Sequence, residues 1–196
     1  MGLARHVGKG MSVAIADYDN DGFMDIFVSN DNERNFLFHN LQGRGFAEVG
    51  VESGVAFTED GVSISGMGAD FRDLNNDGRP EVIVTALEGE TFPLYMNQGG
   101  GFFMPWTYPS GIGFASHRMS GWGVGTYDFN NDGLKDLFIA NSHVSENVGL
   151  YGNHQYRQPN AVFLNQGNAI FRDVSGLAGP DMRAHLPLAA APHSEN

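Results

Sequence analysis

Asp17-Tyr18-Asp19-Asn20-Asp21-Gly22-Phe23-Met24-Asp25 places carboxylates at positions 1, 3, 5 and 9 of a nine-residue segment, with glycine at position 6. Oxygen-rich loops bent at a glycine suit a hard cation, above all Ca²⁺. Without a cation, four anions so close together repel one another. The pattern returns as Asp73-Leu74-Asn75-Asn76-Asp77-Gly78-Arg79-Pro80-Glu81 and as Asp128-Phe129-Asn130-Asn131-Asp132-Gly133-Leu134-Lys135-Asp136. The copies start 56 and then 55 residues apart. A motif in such near-constant register belongs to a repeating unit, and stacked units depend on their neighbours.

Short apolar runs flank each loop. Met11 to Ala16 leads in and Ile26 to Val28 leads out. Asn35 to Asn40 and Phe46 to Val49 read as third and fourth strands. The second unit repeats this order with Gly66 to Arg72, Val82 to Ala86, Leu94 to Asn97 and Phe102 to Trp106. The third does so with Gly121 to Tyr127, Leu137 to Ala140, Ala161 to Asn165 and Ile170 to Val174. No helical period of useful length occurs. An EF-hand is excluded, because its loop joins helices and carries Glu at position 12, which here is Val28. Four antiparallel strands recurring every 40–60 residues or so describe a propeller blade. The fold class is therefore all-β, a β-propeller segment of about three four-stranded blades, open and incomplete.

A second recurrence fixes the alignment. Asn40, Asn97 and Asn165 each precede a glycine-containing turn and a phenylalanine (Phe46, Phe103 and Phe171) six residues on. Asn with Gly is ordinary turn chemistry, and the Phe is a packing anchor. From loop start to this Asn takes 23, 24 and 37 residues. The third unit thus carries an insertion of about a dozen residues within 142–159, a natural place for a specific binding surface. The expected boundaries are a linker at 1–10, blades at 11–64, 65–119 and 120–179, and a disordered tail rich in Pro and Ala at 180–196.

Composition narrows the function. The net charge is −12 with 11 Lys and Arg, which argues against nucleic acid. Ten of the 23 acidic residues sit in the three loops, so three Ca²⁺ would bring the net charge to about −6. Cysteine is absent, which excludes disulfides and thiolate sites. No run of 18 or more apolar residues is present, so no membrane-spanning helix is expected. Residues 1–10 lack the apolar core of a signal peptide.

Strand, D-x-[DN]-x-D-G-x-x-[DE], strand, with glycine-rich incoming strands (Gly66-Met67-Gly68-Ala69, Gly121-Trp122-Gly123) and an N-x-G…F turn, resembles the FG-GAP/VCBS repeat of integrin α-like propellers. Longer phrases, Asn30 to Asn40 and Ser120 to Gly123, resemble the bacterial ASPIC/UnbV proteins akin to cartilage acidic protein. The likeness covers roughly residues 11–178. It implies Ca²⁺ held by side chains at positions 1, 3, 5 and 9 and by the position-7 carbonyl. These are Asp17, Asp19, Asp21, Phe23 and Asp25, then Asp73, Asn75, Asp77, Arg79 and Glu81, then Asp128, Asn130, Asp132, Leu134 and Asp136. Ser12 departs from the glycine at Gly66 and Gly121, and Glu81 from the commoner Asp. Such propellers close with about seven blades. Three blades leave open edges, to be met by missing blades of a longer chain or by self-association.

The expected function is a non-enzymatic, calcium-binding segment for adhesion or protein–protein recognition, outside the cytoplasm or at the cell surface, where weak Ca²⁺ sites fill. Two alternatives stand beside it. One is a carbohydrate-binding or polysaccharide-active propeller, with Trp106 or Trp122 stacking on sugar, against a role in packing between blades. The other is a structural scaffold fragment. No G-x-S-x-G, H-E-x-x-H or phosphate-loop motif is present. His39 reads as a packing or turn residue, and His117, His143 and His154 as exposed.

Overall fold

The computed structural model describes residues 3–152, 154–177 and 179. The tail expected at 180–196 lies outside them. The chain folds into three four-stranded antiparallel sheets, none closed on itself. The first runs β1 (Gly10–Ala16), β2 (Asp25–Asn30), β3 (Phe36–Asn40) and β4 (Phe46–Glu48). The second runs β5 (Ala69–Arg72), β6 (Glu81–Val84), β7 (Leu94–Gly99) and β8 (Phe102–Pro105). The third runs β9 (Gly121–Tyr127), β10 (Asp136–Asn141), β11 (Ala161–Asn165) and β12 (Phe171–Asp173). Within each sheet, strands lie in chain order, the meander of a propeller blade. The sheets touch through their first strands, β1 on β5 and β5 on β9.

The hairpin register explains the acidic loop. The last pairs of the three hairpins are Ala16↔Asp25, Arg72↔Glu81 and Tyr127↔Asp136. Position 9 is therefore not in the loop at all. It opens the outgoing strand, and strand alternation turns its side chain inward. Asp25, Glu81 and Asp136 are all fully buried.

One hydrophobic core runs through all three sheets, with Phe27, Phe71, Phe103, Leu94, Leu137 and Phe163 among its members. The middle sheet is covered on both faces, and every residue of β6 is buried. β2 and β10 have half-exposed positions between their buried ones, because the outer sheets have one open face each.

Local differences from the sequence expectation have physical causes. The second blade's inner strand starts at Ala69 and not Gly66. Gly66 donates its N–H to the Asn30 carbonyl of the neighbouring sheet instead, and a Cβ there would sit 2.9 Å from that oxygen. Two short helices occupy the blade-to-blade connections, Gly50–Ser53 (α1) and Ile112–Ser116 (α2). Neither completes two turns, so neither leaves a 3.6-residue period to detect. α1 stops at Gly54, which is left-handed at φ 86° and lies against the Phe103 carbonyl. Residues 3–10, read as a linker, contain a 3₁₀ turn (Leu3–Arg5), and the Lys9 carbonyl accepts the Asp31 N–H.

Candidate metal centre

The three loops share one backbone, and their own side chains hold it. Each position-1 Asp accepts two N–H groups, from positions 5 and 6. Asp17 accepts from Asp21 at 3.0 Å and Gly22 at 2.8 Å. Asp73 accepts from Asp77 and Gly78, and Asp128 from Asp132 and Gly133, at 2.9–3.2 Å. The side-chain oxygens of Asp19, Asn75 and Asn130 take the position-5 N–H as well. Those of Asp21, Asp77 and Asp132 take the position-7 N–H of Phe23, Arg79 and Leu134. The turn needs two left-handed residues. Position 4 is Asn20, Asn76 or Asn131 at φ 59–60°, and position 6 is Gly22, Gly78 or Gly133 at φ 85–90°. Asn tolerates this region because its short amide can hydrogen-bond locally, and Gly has no Cβ to clash.

Position 9 ties the loop to the rest of the blade. One oxygen of Asp25, Glu81 or Asp136 accepts the position-2 N–H, from Tyr18, Leu74 or Phe129. The other accepts the N–H of Asn40, Asn97 or Asn165. These asparagines were read as turn residues, and they do accept the turn N–H of Gly43, Gly99 and Gly167. Their amides do more. Asn97 donates to the Pro80 carbonyl in its own loop and, at 2.8 Å, to the Tyr18 carbonyl of the preceding blade. Asn165 repeats this with Lys135 and Leu74. The six-residue Asn-to-Phe spacing shows the position in sequence, but nothing local reveals its partner 79 or 91 residues away.

The loops differ in charge. In the first, single carboxylate oxygens of Asp17, Asp19 and Asp21 lie within 4.8 Å of one another, close enough to share one cation. A second group combines Asp19, Asp25 and the Nδ1 of His39, which is 3.4 Å from Asp19 and 3.3 Å from Asp25. The other blades have Met96 and Leu164 at the His39 position. In the second loop the Arg79 guanidinium pairs with Asp77, and the Asn75 amide donates to the same carboxylate. In the third the Asn130 amide donates to Asp132. Burial pushes the Asp25 carboxyl above its usual range. Burial raises Glu81 more, to about 7. The N–H of Gly133 holds the Asp128 carboxyl below the usual range.

The remaining sequence candidates lie elsewhere. Trp106 packs against the core with its Nε1 buried and without a hydrogen-bond partner among the described residues. Trp122 on β9 is part-exposed and donates to the Ser142 carbonyl. The 142–159 insertion connects β10 to β11, at the end of the blade opposite the loop. It folds back through His154 and Gln158, which both hydrogen-bond Glu88 in the connection that leaves the second blade. Its Leu150 and Tyr151 are exposed. His117 is exposed, as read.

Antiparallel sheets in meander order, each carrying one acidic hairpin loop, define a protein built from propeller-type repeats. The FG-GAP-like repeat model matches residues 17–84 and 73–139, and the chain belongs to that family. Cartilage acidic protein 1 of Xenopus tropicalis is 27% identical over 184 residues, and that of Homo sapiens is 30% identical over 183. Both matches cover 91% of this chain but only 27% and 26% of the relatives. The chain therefore spans about a quarter of the length of these proteins.

Proposed function

We propose that the chain is a non-enzymatic, calcium-binding propeller segment that serves adhesion or protein–protein recognition outside the cytoplasm. The first loop carries the reading. Three carboxylates converge there within 4.8 Å on a backbone held by their own hydrogen bonds. Such an all-oxygen, preorganised set matches the preference of Ca²⁺. Asp17, Asp19, Asp21 and Asp25, with the Phe23 carbonyl, would hold the ion in the first loop. Asp73, Asn75, Asp77, Glu81 and the Arg79 carbonyl would do so in the second, and Asp128, Asn130, Asp132, Asp136 and the Leu134 carbonyl in the third. The ion offsets two of the loop's negative charges and ties the two strands of the hairpin together. At Ca²⁺ a hundredfold above its dissociation constant it adds about 2.7 kcal/mol per site.

Loop charge ranks the sites. The first has four carboxylates and no cationic side chain among its nine residues, whereas Arg79 opposes a cation in the second and Lys135 lies in the third. Calorimetric titration of Asp17→Ala, Asp73→Ala and Asp128→Ala tests this, with loss of the tightest binding event expected from Asp17→Ala. If that variant shows the smallest change, the ranking is wrong. If no variant changes Ca²⁺ binding, the calcium reading fails. The sugar-binding alternative has less support. Trp122 commits its N–H to Ser142, and Trp106 is part-buried against the core.

A further inference from the structure

The first blade departs from the other two at two positions whose side chains meet. Position 3 of its loop is Asp19, where the others have Asn75 and Asn130. The residue before Asn40 is His39, where the others have Met96 and Leu164. Strand pairing brings a third group to them. Ile26 lies opposite Phe38, so the next step along the hairpin sets Asp25 beside His39.

The Nδ1 of His39 is buried and has no hydrogen-bond partner among the described residues. Yet it stands 3.3 Å from Asp25 Oδ1 and 3.4 Å from Asp19 Oδ2. The nitrogen is thus close to two carboxylates and bonded to neither. That spacing is the one a shared ion imposes, since ligand atoms about 2.0–2.1 Å from a tetrahedral metal lie about 3.3–3.4 Å apart. All three donor atoms fall within 4.8 Å of one another. Asp19 has an oxygen to give, because Oδ1 takes the Asp21 N–H and Oδ2 takes none among the described residues.

The set is held in place by its surroundings. Asp25 accepts the N–H groups of Tyr18 and Asn40. The Tyr18 ring stands edge-on to His39 at 5.9 Å and packs 5.7 Å from Phe103 of the second blade. The Asn20 amide ties the loop to the Gly78 carbonyl of the next loop at 3.2 Å, as Asn76 does to Gly133. The three donors belong to the loop, β2 and β3 of one blade, so their meeting does not depend on what adjoins the chain.

We propose that Asp19, Asp25 and His39 form a mixed nitrogen and oxygen site for Zn²⁺, which excludes Ca²⁺ from the first loop by taking two of its carboxylates. Ca²⁺ takes oxygen ligands, whereas an imidazole nitrogen suits Zn²⁺ and its first-row neighbours. Three protein ligands leave the fourth tetrahedral position to water. The exclusion rests on the calcium reading of the first loop, and the binding of Zn²⁺ does not.

Calorimetric titration of the full chain with Zn²⁺ in Ca²⁺-free buffer tests the site against His39→Leu. Leucine is the third blade's residue at this register, so the strand accommodates it. The variant should bind Zn²⁺ about tenfold or more weakly than wild type, and unchanged affinity overturns the site. Nitrogen-resolved NMR spectra of the imidazole rings in wild type read the ligand itself, whatever leucine does to the loop. The first Zn²⁺ added should shift the Nδ1 of His39 among the seven histidines. A first shift at any other histidine, or at the Nε2 of His39, overturns the assignment. Added Ca²⁺ should then weaken the apparent Zn²⁺ affinity in step with its concentration. Zn²⁺ held through His39 with Ca²⁺ bound and without effect overturns the exclusion. A chain that binds Zn²⁺ through His39 and no Ca²⁺ at all refutes the calcium reading and leaves the zinc site standing.

Discussion

The first and second acidic loops have nearly the same backbone and different electrostatics. Their left-handed residues agree within 5°, Asn20 with Asn76 and Gly22 with Gly78. Around that shared turn, one loop gathers four carboxylates beside His39, while the other pairs Asp77 with Arg79 and buries a glutamate. The turn is thus kept while its charge changes. The side chains at positions 1, 3 and 5 hold the turn whatever the net charge, because their oxygens accept N–H groups inside the loop, and Asn75 accepts the same N–H as Asp19 does. Position 3, position 7 and the residue before Asn40 or Asn97 then set the field a cation would meet.

The sharpest test of how the turn is held contrasts the buried position 9 with the half-buried position 1 in metal-free protein. Asp25→Ala leaves two N–H groups, of Tyr18 and Asn40, without their acceptor. At about 1–3 kcal/mol for each unsatisfied buried group, a loss of about 2–6 kcal/mol is expected in urea unfolding with chelator present. Asp17→Ala should cost clearly less there, because water reaches the N–H groups it frees. Equal losses would mean that position 9 is not the anchor.

Next in size is a pH effect from Glu81. Burial raises its pKa from 4.5 to about 7, so between those values the folded chain keeps a proton that the unfolded chain has released. Its contribution to metal-free stability is complete below about pH 4.5 and declines as pH rises towards 7, by at most about 3 kcal/mol. Asp25 shifts in the same direction. Unfolding curves for wild type and Glu81→Gln at either end of this window give the answer. The variant should show the flatter dependence, and identical slopes would remove Glu81 from the account.

Smaller again is the difference between two hub asparagines. Asn97→Ala removes a bond to another blade as well as to its own loop, whereas Asn40→Ala removes only bonds within its blade. The first should destabilise more, by about 1–3 kcal/mol. A smaller loss for Asn97→Ala would show that apolar packing alone joins the blades. The least effect is expected from Arg79→Gln. Its pair with Asp77 is part-exposed and worth about 1 kcal/mol or less, so calorimetry should show second-loop Ca²⁺ affinity rising only a few-fold.

The repeat unit, the four-strand order and the loop pattern were all legible in the sequence, because each is written in local residue order. Alternation marked the strands, and the Asp-Gly spacing marked the hairpin that carries the acids. What stayed hidden was non-local. The left-handed Asn20, Asn76 and Asn131 recur at position 4 of every loop, and this was the visible sign of a shared role that loop chemistry alone did not decode. In the sequence Arg79 counts only for its position-7 carbonyl, since folding alone brings its guanidinium back onto Asp77. The helices α1 and α2 were too short for any periodicity.

The hub asparagine also divides each blade into two ends that obey different rules of length. At the loop end, Asn97 and Asn165 join a hairpin, a turn and a neighbouring carbonyl within single hydrogen bonds, so an added residue would break several of them together. At the far end the link is closed only at its two feet, where the N–H of Asn30 or Asn141 donates to the Asn35 or Asn160 side chain whatever the length between them. There the link from second to third strand runs from Asn30 to Phe36 in one blade and from Asn141 to Ala161 in another, with the sheets unchanged. Foreign peptide sequences inserted into the β2–β3 link should therefore be tolerated, whereas the same additions after Gly22 should not.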